Sequence, residues 1–184
     1  DPVTAVCLYF EVHQPCRLRR YSTFEIGKSR DYEDEAGNEK ILDKVSRKCY
    51  LPANDLLLRL IERYEGRFRV AFSLTGVLLD QLARRQPGVL ESFQNLAATG
   101  CVEMLNETYY HSLAFIYSGA EFLAQLRKHR DRIYDLFGQE GTTFCGTELL
   151  YNNNLAQEVE QLGYRVILAE GAEAVLGSRD PNRS

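Results

Sequence analysis

Tryptophan is absent from these 184 residues and methionine occurs once. The side chain that stacks best on a planar or sugar ligand is therefore missing, and tyrosine has to serve in its place. Cys7, Cys16, Cys49, Cys101 and Cys145 are odd in number, widely spaced and never in a C-x-x-C pair. That pattern excludes a disulfide framework or zinc ribbon and points to a reducing, cytoplasmic setting. A basic excess is lacking too: 22 Lys and Arg stand against 26 Asp and Glu, a formal charge of -4. Nucleic acid rewards a clustered basic surface, so it is not the expected partner. The one basic cluster, Arg17, Arg19 and Arg20, reads as a loop that pairs locally with Asp31, Glu33, Asp34 and Glu35. No apolar run approaches the ~20 residues of a membrane span, and the run from Val3 to Phe10 lacks the basic leader and small-residue cleavage site of a signal peptide. It reads as a buried strand.

What is present is 45% hydrophobic residues in a chain long enough for one domain with its own core. Short β-branched or apolar runs alternate with longer helical patterns, the signature of a parallel sheet covered by helices. Five strands are expected, at Val6–Glu11, Phe68–Leu74, Val102–Glu107, Thr142–Thr147 and Tyr164–Ala169. Leu56, Leu57, Leu60, Ile61 and Tyr64 form a helical stripe opened by Pro52 and closed by Gly66. A second helix starts at Pro87, faces Leu90, Phe93 and Leu96 or Ala97 inward and stops at Gly100. Ser118 and Glu121 make a capping box for a third, with Phe122, Leu126, His129 or Arg130, Ile133 and Phe137 on its stripe and Gly138 as its stop. Asn152 or Asn153 caps a fourth, which carries Leu155, Val159 and Leu162 and ends at Gly163. Residues 17–50 form a long first crossover with a helix near Ile41, Leu42, Val45 and Cys49. No repeat or linker divides the chain. Its close after the fifth strand, at Gly177 to Ser184, suggests the amino-terminal part of a longer protein, or a fragment that pairs with another copy through an open sheet edge.

Right-handed crossovers put every strand's carboxyl end on one side of the sheet, where ligands bind. The first strand runs into Glu11-Val12-His13-Gln14-Pro15. The third carries Glu103, Asn106, Glu107 and, beyond Thr108-Tyr109-Tyr110, His111. The fourth ends at Thr147-Glu148, placing a carboxylate where strand gives way to helix. Glu148 is the candidate nucleophile. Glu103 and Glu107 share a strand face by the alternation of side chains. The expectation is that His13, Glu103 and Glu148 gather around one pocket, while His129, among Arg127, Lys128 and Arg130, lies on the surface.

His13-Gln14-Pro15, Gly100-Cys101-Val102-Glu103 through Glu107-Thr108-Tyr109-Tyr110-His111-Ser112-Leu113, Thr147-Glu148-Leu149 and Leu168-Ala169-Glu170-Gly171-Ala172 together resemble family 57 of the glycoside hydrolases, the α-amylase and glucanotransferase group. The resemblance spans nearly the whole chain. It implies that residues 1–184 are the amino-terminal part of an incomplete seven-stranded parallel β/α barrel, in an enzyme that cleaves or transfers α-1,4-glucans with retention. It also implies Glu148 as nucleophile, His13, Gln14 and Glu103 at the sugar subsite, and Glu107 and His111 as neighbours. The general acid would be an Asp beyond Ser184, so the chain alone should turn over little or no glucan. No metal or cofactor is implied. The chain departs from the family pattern where Arg-Asn usually precedes Thr-Glu: Cys145-Gly146 stands there, and a donor able to orient the nucleophile is gone. Tyr109, Tyr110, Tyr117 and Tyr151 replace the missing tryptophan.

Two other readings compete. A zinc-dependent α-mannosidase or polysaccharide deacetylase would sit on a related barrel, although Gln14 and Pro15 follow His13 where such sites place acidic ligands. A catalytically silent glucan-binding protein would keep the barrel and lose the chemistry, a possibility raised by Cys145-Gly146.

Overall fold

The structure is a computed structural model and describes residues 6–170. Strands β1 (Tyr9–Val12), β2 (Val70–Leu74) and β3 (Val102–Met104) form one parallel sheet, and β4 (Thr143–Cys145) pairs in parallel with β5 (Val166–Leu168). A bridge joins the two groups. The Asn106 amide donates to Thr143 O at 3.0 Å, and the Cys145 amide donates to Asn106 O at 2.8 Å. All five strands therefore follow one another in sequence order.

Between the strands lie α1 (Glu35–Val45), α2 (Leu51–Arg63), α3 (Gly76–Arg85), α4 (Pro87–Ala98), α5 (Ala114–Tyr117), α6 (Gly119–Phe137) and α7 (Asn153–Gln161). The register aligns Tyr9, Ala71 and Glu103 in one row and Phe10, Phe72 and Met104 in the next. Phe72 and Met104 face the helices, where Phe72 meets Phe93 edge-on at 5.3 Å within a core that also takes Leu57, Ile61, Leu78, Leu82 and Leu96. Burying each such side chain contributes about 1.5–3 kcal/mol. A smaller core around Phe122, Leu126, Phe144, Leu155 and Val159 covers the second strand pair. The other sheet face holds Glu11, Ser73 and Glu107.

The expected caps are present. Ser118 accepts from the Glu121 amide, Gly138 adopts the left-handed conformation that ends α6, and Asn152 accepts from Leu155. Several sequence expectations are corrected. The strands are shorter than drawn: β1 and β2 begin later, at Tyr9 and Val70, while β3 and β4 stop at Met104 and Cys145, before their polar exits. Pro52 does not open a separate helix: α1 runs into α2 through a wide π turn at Ser46–Tyr50. Proline removes an amide from the ladder, and a widened turn just ahead of it absorbs the mismatch. Leu56 on α2, and Tyr64 and Leu162 just past the ends of α2 and α7, lie exposed instead of facing inward.

Helix α3 was not expected at all, although Thr75 caps it by accepting from Leu78 and its Leu78, Leu79 and Leu82 are buried. His129 is fully buried, not on the surface. Its helical phase, shared with Phe122, Leu126 and Ile133, outweighs its basic neighbours. Arg19 does pair with Asp31 in the first crossover, at 3.8 Å. Gly171 and Ala172 of the fourth motif, and the closing segment from Gly177, lie outside the described residues.

Candidate active site

The polar residues at the strand exits converge on His111. β1 delivers Glu11 and, just past its end, His13; β2 delivers Ser73 and then Thr75; the exit of β3 delivers Glu107 and His111; the exit of β4 delivers Thr147 and Glu148. His111 Nε2 lies 3.3 Å from Glu11 Oε1 and 3.5 Å from Glu148 Oε1, while Nδ1 lies 3.3 Å from Glu107 Oε2. The His13 ring stacks on His111 with centroids 4.6 Å apart. Backbone strain concentrates here. Four described non-glycine residues have positive φ, and three of them, His111 (53°), Glu148 (56°) and Leu149 (55°), are at this cluster. Such conformations cost on the order of 1–3 kcal/mol each and persist where surrounding contacts enforce them. The turn is enforced by Thr147, whose hydroxyl bonds Thr108 Oγ1 at 3.1 Å and donates to Ser112 O at 3.0 Å.

Glu107 is only 2% exposed, so its carboxylate needs partners to offset desolvation. Ser73 Oγ donates to its Oε1 at 2.7 Å, and His111 faces its Oε2. The Glu107 amide points at His129 Nδ1 (3.5 Å), and His129 Nε2 donates to Leu74 O (2.8 Å). That pattern requires a neutral His129 protonated on Nε2. Burial lowers its pKa accordingly.

The two stacked imidazoles are shifted in opposite directions. Hydrogen bonding to Glu107 raises the His111 pKa, with Glu11 and Glu148 adding to it and burial opposing. Burial lowers that of His13, and the neighbouring His111 charge lowers it further. Nδ1 of His13 bonds Thr75 Oγ1 at 2.9 Å. A neutral His13 that accepts there carries its proton on Nε2. Glu11 is pushed up by burial, pulled down by His111 and pushed up again by Glu107 and Glu148. The Cys145 thiol, buried and close to the Glu107 charge, is pushed up to about 12 and stays protonated.

Of the residues singled out from sequence, the structure brings together His13, Glu107, His111 and Glu148. Gln14 is buried beside them in a bracing position: its backbone carbonyl accepts from Gln81 Nε2 at 2.6 Å. Glu103 is not in the cluster. It sits in the row of Tyr9 and Ala71, nearer the amino ends of the strands, with Oε1 buried and without a hydrogen-bond partner among the described residues. Glu11, Ser73 and Thr75 were missed as site residues. Glu11 was readable, because it precedes His13 by two and shares its strand face. Ser73 and Thr75 carry no such signal, since only the fold sets them against Glu107 and His13. A hollow of about 400 Å³ opens beside His13, lined also by Cys16, Glu33, Asp80, Arg84 and Tyr110.

Fold and site together define a parallel-stranded β/α protein with an imidazole–carboxylate cluster at the carboxyl ends of its strands. The model of Glycosyl hydrolase family 57 matches residues 7–184, and the chain belongs to that family. A curated protein of Methanocaldococcus jannaschii named "Putative alpha-amylase" is 40% identical over 179 residues, 94% of this chain and 37% of its own length. Among solved structures, 4-alpha-glucanotransferase from Thermococcus litoralis superposes with a TM-score of 0.61 at 17% identity, over 70% of this chain and 19% of that one. A structure from Mycobacterium smegmatis described as a "putative polysaccharide deacetylase" gives 0.53 at 14% identity, over 71% and 43%. At those identities the two structures share the fold alone. The chain thus spans little more than a third of its curated relative.

Proposed function

We propose that the chain is the amino-terminal part of a β/α-barrel catalytic domain, and that the whole protein is a retaining hydrolase or glucanotransferase acting on α-1,4-glucans. The observation that carries this reading is Glu148. Its side chain is 70% exposed at the exit of β4, on a left-handed turn, with an imidazole donor 3.5 Å from one oxygen. An accessible carboxylate held at a strand end is what attack on an anomeric carbon needs.

In such a reaction Glu148 forms a glycosyl ester as the leaving oxygen takes a proton from a second carboxyl group about 5 Å away, which then deprotonates water or an acceptor sugar. That acid is expected from a later strand. His13, presenting Nε2–H, would donate to a sugar hydroxyl. The name of the Methanocaldococcus relative and the membership of family 57 agree with a glucan substrate.

The test is Glu148→Ala in the full-length protein. Turnover of maltooligosaccharides should fall by at least about 10³-fold, and added azide should restore it with formation of the β-glycosyl azide. Undiminished turnover in the variant would remove Glu148 from the chemistry.

A further inference from the structure

Glu148 receives no charged donor from its own strand, because the two residues ahead of Thr147 are the buried thiol of Cys145 and Gly146. A nucleophilic carboxylate works best with one oxygen fixed and the other free to attack, since orientation supplies much of the rate. The donor Glu148 meets comes from the β3 exit. His111 Nε2 stands 3.5 Å from Glu148 Oε1, a separation of the kind that tightens when substrate closes a site.

The opposite edge of that imidazole is held by groups that cannot reach a ligand. Nδ1 faces the buried Glu107 carboxylate at 3.3 Å, and Ser73 Oγ secures the other Glu107 oxygen at 2.7 Å. The Glu107 backbone is aimed at His129, which is itself tied to Leu74 O. His13 covers one ring face at 4.6 Å, and His111 itself holds a left-handed backbone conformation. A histidine that only bound sugar would need a nitrogen free for it. Here both nitrogens already face carboxylates: Glu107 on one side, Glu11 and Glu148 on the other.

We propose that His111, aimed from behind by the Ser73–Glu107 pair, is the positioning residue for Glu148, presenting Nε2–H to one carboxylate oxygen so that the other faces the anomeric carbon. The proposal rests on Glu148 being the nucleophile. It assigns to the β3 exit the orienting task that the strand leading to Glu148 leaves undone. Glu11 faces the same Nε2–H at 3.3 Å, so one imidazole proton lies between two carboxylates. The described titratable groups facing the ring are Glu11, His13, Glu107 and Glu148.

The test combines histidine titration with kinetics in the full-length protein. With ¹⁵N-labelled histidine, His111 should titrate above an exposed histidine, its midpoint should fall in both Glu107→Gln and Glu148→Gln, and the Glu148 substitution should move the Nε2 resonance. An ordinary midpoint indifferent to both substitutions overturns the proposal. In kinetics, His111→Asn should lower kcat roughly 10- to 100-fold, the range for loss of a charge-assisted hydrogen bond, with KM within about twofold. A raised KM with unchanged kcat would make His111 a sugar ligand and overturn it as well. If Glu148→Ala leaves turnover intact, the nucleophile reading fails on its own, and the titrations still decide whether His111 is coupled to Glu148.

Discussion

His129 must stay neutral to serve two neighbours at once, accepting toward the Glu107 amide and donating to Leu74 O from a fully buried position. Its pKa is lowered in the folded protein, so its contribution is present above the unfolded value of about 6.5 and is lost as pH falls through the folded one. His111 runs the other way: its pKa is raised, and its contribution, full below about 6.5, is lost as pH rises through the folded value. Thermal unfolding across pH 5–8 should therefore show wild type losing more stability on acidification than His129→Gln does. Parallel curves would contradict the buried neutral assignment. At this scale sequence showed where acids and imidazoles fall along the chain, and not what they touch. His129 was misjudged from its charged neighbours when its spacing from Phe122 and Ile133 carried the better signal. Glu103 and Glu107 share a strand in sequence, yet only Glu107 joins the cluster.

The join between β3 and β4 is the narrowest part of the sheet, and it positions Glu107 relative to Glu148. Before β4 begins, the side chain of Gln139 takes a strand's place, accepting from the Met104 amide and donating to Val102 O, both at 3.0 Å. Gly141 then passes so close that an added Cβ would lie 2.5 Å from Met104 O and 2.6 Å from Asn106 Nδ2. Gly141→Ala should cost about 1–3 kcal/mol through overpacking against backbone, readable as a lower urea midpoint. Gly88→Ala, on α4 with open space around it, should instead stabilise by about 0.4–1 kcal/mol. Equal effects at the two sites would show that the close approach is not what Gly141 provides. Strands and capped helices were legible because alternation, Ser118, Gly138 and Asn152 are local signals. The Gln139 substitution for a strand was not, since it depends on a partner 35 residues away. The wide turn before Pro52 was half legible: proline announced a disturbance without saying that the helix would continue through it.

The whole molecule presents five parallel strands in sequence order, helices over one face and the imidazole–carboxylate cluster on the other. No helix among the described residues is long and apolar enough to cross a membrane. Family membership was legible from four ordered motifs and is borne out by the match over residues 7–184. The seven-stranded closure and the second carboxyl group belong to the proposal, because the chain spans 37% of its curated relative. Residues 1–184 expressed alone should bind oligosaccharide weakly at most and cleave none, whereas the full-length protein should cleave. β5 pairs on one side only among the described residues, and Val166 on it is half exposed, so the isolated chain should also self-associate with rising concentration in light scattering. A strictly monomeric chain would contradict that expectation.

The most direct measurement is to treat the full-length protein with 5-fluoro-α-glucosyl fluoride and locate the adduct by peptide mass spectrometry. A glycosyl ester on Glu148, lost in Glu148→Gln and slowed in His111→Asn, is the predicted result. An adduct on another carboxylate, or steady turnover with none trapped on Glu148, would contradict it.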